Sequence, residues 1–76
     1  MSLEEAVPGG SVSLTEAARQ LEMAIHDSRV AFDSIGLGHL DQAHTSALTA
    51  RAAVDAAETA IRAAIAEAEA KGQPTD

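Results

Sequence analysis

Cysteine, tryptophan, tyrosine and asparagine are all missing from this 76-residue chain, and Phe32 is its sole aromatic residue. Without cysteine there is no disulfide, no thiol nucleophile and no thiolate metal site. A single aromatic makes no stacking platform for bases, and with so few each core contact is small. No 18-residue apolar run exists, so no membrane span is expected. The N-terminus lacks a basic stretch followed by an apolar block, which does not suit a secretory signal. The expectation is a cytoplasmic protein. Basic residues are also scarce: 5 Lys and Arg stand against 12 Asp and Glu, a formal net charge of −7. That balance opposes nucleic acid and anionic membranes as partners.

Motifs that carry chemistry are absent too. There is no Gly-x-Ser-x-Gly, no His-Glu-x-x-His and no glycine-rich phosphate loop. The reading is therefore non-enzymatic and without a cofactor. The only metal-ligand candidates are His39, Asp41 and His44. His39 and His44 are five residues apart, a poor spacing for one ion. His44 with Asp41 offers two ligands at i,i+3, and a dimer doubles them.

What the chain has in abundance is alanine at regular intervals. Ala43, Ala50, Ala57 and Ala64 lie seven apart, interleaved with Leu40, Ala47, Val54, Ile61 and Ala68. This unbroken 3-4 alternation is the stripe one helix presents to another, with small side chains allowing close approach. Upstream, Leu14, Ala18, Leu21, Ile25, Ser28, Phe32 and Ile35 alternate in the same way.

Breakers and caps divide the chain. Pro8-Gly9-Gly10 sets off a flexible lead, residues 1–12. Ser13-Leu14-Thr15-Glu16 has the form of a capping box, starting helix 1 at about 14 and running to 35. Gly36-Leu37-Gly38 is the turn, with Gly36 at the positive-φ position of a Schellman-type stop and Leu37 folding back. Helix 2 spans about 39–71, supported by Glu58–Arg62 and Glu67–Lys71 at i,i+4. His26 is expected to pair with Glu22. Gly72 and Pro74 end helix 2, and 73–76 is a frayed tail.

The fold class is thus all-α: an antiparallel hairpin of unequal helices within 13–72, assembling into a four-helix-bundle homodimer. Folding about the turn brings Leu14 opposite roughly Ala60, so Ile61, Ile65 and Ala68 extend past helix 1 and need a cover, either the lead segment through Leu3, Val7 or Val12 or, the favoured reading, a second chain. Met23 and Val30 lie opposite the main stripe of helix 1. A second alanine band on helix 2 (Ala52, Ala53, Ala56, Ala60, Ala63) likewise has no use in an isolated hairpin. The candidate oligomer interface is Met23, Val30, Ala50, Val54, Ala57, Ile61, Ala64, Ile65 and Ala68. The expected partner is the chain itself. The alternative is an acidic adaptor or antitoxin-like protein that binds a basic protein. The alanine bias suggests a GC-rich, bacterial genome; in composition and pattern alone the chain resembles many small bacterial or phage helical proteins.

Overall fold

The computed structural model of the chain describes residues 12–72. Residues 1–11 of the expected lead and the tail over 73–76 lie outside them; Val12, expected to end the lead, is instead helical. Two helices, α1 (Val12–Gly36) and α2 (Leu40–Ala70), pack side by side as a hairpin. Both are dense in strong helix formers, which is what sustains a 31-residue α2. At about 1.5 Å per residue they run roughly 37 and 46 Å. The Cα radius of gyration is 15.4 Å, whereas a compact chain of this size has about 11 Å. The hairpin is a slab one helix thick, with no enclosed interior.

The turn places its glycines differently from expectation. Gly36 is the last residue of α1, and Gly38 takes the left-handed conformation, at φ 76°. The His39 N–H donates to the Ser34 carbonyl (2.8 Å) and the Gly38 N–H to that of Ile35 (3.0 Å). These are the paired bonds of a Schellman stop with glycine at C′. The usual apolar clasp of that motif would join Ser34 and His39, which are polar, and Leu37 remains 71% exposed. Gly72, at φ 72°, repeats the device after α2, its N–H donating to Glu69.

At the other end, α1 begins before the anticipated capping box. Ser13 is its second residue, not its cap, and its hydroxyl donates to Glu67 Oε2 at 3.2 Å. The overhang therefore shrinks to the last turn of α2. Counting both helices from that contact puts Leu14 level with about Ile65 rather than Ala60. The connection runs over 37–39, one residue later than the expected 36–38, which moves the pairing in the same direction.

The core is alanine. Buried positions are Ala17, Ala24 and Ser34 on α1 and Ala43, Ala50, Ala53, Ala57 and Ala64 on α2. Half-buried Ala31, Ser46 and Ala60 complete the seam. Ala57, midway along α2, is 1% exposed. The heptad alanines of α2 do face α1, but alongside Ala53 and Ala60, not Leu40, Ala47, Val54 and Ile61. On α1 the correction is larger. Ala17, Ala24 and Ala31 face α2, while the Leu21–Ile35 stripe turns away. Small side chains on the contact line let the axes approach closely; large ones there would hold them apart, so they move to the flank.

Candidate interaction face

The large apolar residues form a second stripe beside the seam on each helix. Taking about 100° per residue, the stripe of α1 is rotated from its seam by roughly 70–120° toward higher residue numbers. That of α2 is rotated by roughly 65–90° in the same sense. Because the helices are antiparallel, equal senses of rotation carry both stripes to one side of the slab. Leu21, Ile25, Phe32 and Ile35 thus share a face with Leu40, Val54, Ile61 and Ile65. These eight side chains are between 37% and 76% exposed, Phe32 the most.

The reason for exposing Ile61 and Ile65 differs from the sequence expectation. They do not overhang α1; they lie level with Leu14 and Ala18 and still keep 37% and 41% of their surface. Rotation away from the seam leaves them open. Of the other interface candidates, Val54 lies on this face and Ala68 is half-buried at its end. Ala50, Ala57 and Ala64 are covered by α1 within the same chain. Met23, 46% exposed, and half-buried Val30 sit on the opposite side of the slab. There, Met23 lines an open depression with Glu22, His26 and Asp27. Sequence reasoning missed Leu21, Ile25, Phe32, Ile35 and Leu40 as surface residues. The available signal was Ala17–Ala24–Ala31, a heptad of small residues matching the one on α2.

The polar side-chain contacts lie on exposed or half-buried residues. His39 is the N-cap residue of α2 but makes no side-chain capping bond. His39, Asp41 and His44 are all exposed, and no three His, Asp or Glu side chains gather to hold a metal ion among the described residues. His26 places Nδ1 3.4 Å from Asp27 Oδ1, beside it rather than against Glu22. Arg19 and Gln20 both donate to the Glu16 carboxylate, at 2.7 and 3.1 Å. Arg62 grips Glu58 with Nε (3.1 Å) and with its terminal amine, on the outer edge of the α2 stripe. That donation holds the Glu58 carboxyl below the usual carboxylate range and raises the Arg62 guanidinium further. Glu67 accepts from Ser13.

Charge is uneven along the slab. The half nearer the turn, residues 26–53, holds three acids and two bases, net −1, and all three histidines. The open half, 12–25 with 54–72, holds six acids and three bases, net −3. No helix among the described residues is long and apolar enough to cross a membrane. No protein-family model, curated protein or solved structure matches this chain.

Proposed function

We propose that the chain is a non-enzymatic helical-hairpin module that works by association, its apolar face closing onto a second hairpin to make a homodimeric four-helix bundle. One observation carries this reading: eight large apolar side chains lie exposed on one side of a two-helix slab. At roughly 60–120 Å² of apolar area per large side chain, and with the exposures above, the face offers on the order of 300–500 Å². A stable interface takes about 800 Å² from each partner, a little over half of it apolar. The face is the size a dimer needs, and a contiguous apolar patch of about this area is often a functional surface. Stacking two slabs also creates the enclosed core that one slab lacks.

The test is mass in solution. Light scattering at micromolar concentration should give about twice the 7.8 kDa of one chain, and Phe32→Asp should return the mass to that of a single chain. A helical, monodisperse monomer would refute dimerisation.

A second reading keeps the face and changes the occupant: an adaptor docking a basic protein. The net charge of −7 favours it. In that case the purified chain stays monomeric.

A further inference from the structure

We propose that the second copy docks antiparallel, α1 on α1 and α2 on α2, across a two-fold axis that passes near Ile25 and Val54. This rests on the dimer reading above and specifies its geometry. On α1, Ala18 and Phe32 flank Ile25 at seven residues either side. On α2, Ala47 and Ile61 flank Val54 in the same way, and Leu40 and Ala68 lie at fourteen.

An axis at the Ile25–Val54 level exchanges the members of each pair. Phe32, the most exposed side chain of the face, then meets the partner's Ala18, and Ile61 meets the partner's Ala47. Leu40 meets Ala68. In these three pairs a large residue meets a small one, which is how facing helical layers interdigitate without voids or overlap. Ile25 and Val54 meet their own copies on the axis, as residues of an isologous interface do.

Turn-on-turn stacking also seats Phe32 on an alanine, Ala47. However, it stacks the two open halves, each net −3, on one another. The antiparallel arrangement sets each −3 half against a −1 half and uses the whole length of both stripes.

The absence of cysteine makes the test clean. Single variants Ile25→Cys, Val54→Cys and Leu37→Cys are prepared reduced, and each is first checked for helicity and for the mass of the parent. On mild oxidation, Ile25→Cys and Val54→Cys should convert to disulfide-linked dimers, since residues on the axis bring their Cβ atoms within bonding range of about 3.5–4.5 Å. Leu37→Cys, at opposite ends of the assembly, should stay uncrosslinked. If Leu37→Cys links and the axis variants do not, the antiparallel arrangement is overturned while the dimer stands. A dimer in which none of the three links also overturns it. A monomeric parent removes both, and leaves the face to a different protein.

Discussion

Alanine at the contact line makes single methyl groups decisive. Ala57 is 1% exposed, the most buried residue of the seam. Ala57→Leu inserts three carbons where no room exists, and should destabilise the hairpin by about 1–3 kcal/mol, read from urea melts of the helical signal. Phe32 is the reverse case: it is 76% exposed in the hairpin, so Phe32→Ala should change the stability of the isolated hairpin by no more than about 0.5 kcal/mol. Its effect should fall on association, seen as a lower mass at a given concentration. The glycines of the turn separate in the same manner. Gly38 sits at φ 76°, a conformation in which a Cβ costs roughly 1–2 kcal/mol. Gly36 is helical, with open space where a methyl group would stand, so Gly36→Ala should be neutral or stabilising. Thermal melts of Gly36→Ala and Gly38→Ala should therefore shift in opposite directions, or the first not at all.

Within an element, the Glu58–Arg62 clasp joins adjacent turns of α2. The guanidinium donates to the carboxylate, so the folded pKa of Glu58 lies below its unfolded value. The sign follows: the clasp supports the helix above the ordinary carboxylate range and loses its contribution as pH falls through the lowered value. Both side chains are exposed, so the effect on overall stability is small. An NMR titration should find Glu58 below the reference near 4.3 in the parent. In Arg62→Gln it should move back up toward that reference. Helix ends obey the same local logic: each described helix is followed two residues on by a glycine with positive φ, Gly38 and Gly72, where sequence reasoning gives that role in the turn to Gly36.

For the whole molecule, the apolar face and the net charge oppose one another in assembly. Two chains of −7 each must approach, so added salt should strengthen the dimer rather than weaken it. Raising ionic strength from about 0.01 to 0.15 M cuts the screening length from roughly 30 to 8 Å. Dimer dissociation measured by dilution should move to lower concentration over that range. Docking to a basic protein through charge would show the opposite trend, which separates the two readings without knowing the partner.

Much of the hairpin was legible in the residues. Periodicity, alanine density and the glycine pair are local signals, and they determined two helices, their turn and the alanine heptad of α2. They also put Val54, Ile61 and Ile65 among the interface candidates. What they left open was which of two parallel stripes turns inward. On each helix the small-residue stripe and the large-residue stripe share one 3-4 period and differ only by a rotation about the axis. Periodicity fixes the repeat but not that rotation. Only the tertiary structure decided it, because the choice depends on how near two backbones come when methyl groups line the contact. That closeness put alanine inside and left Phe32, Ile25 and their neighbours on the surface.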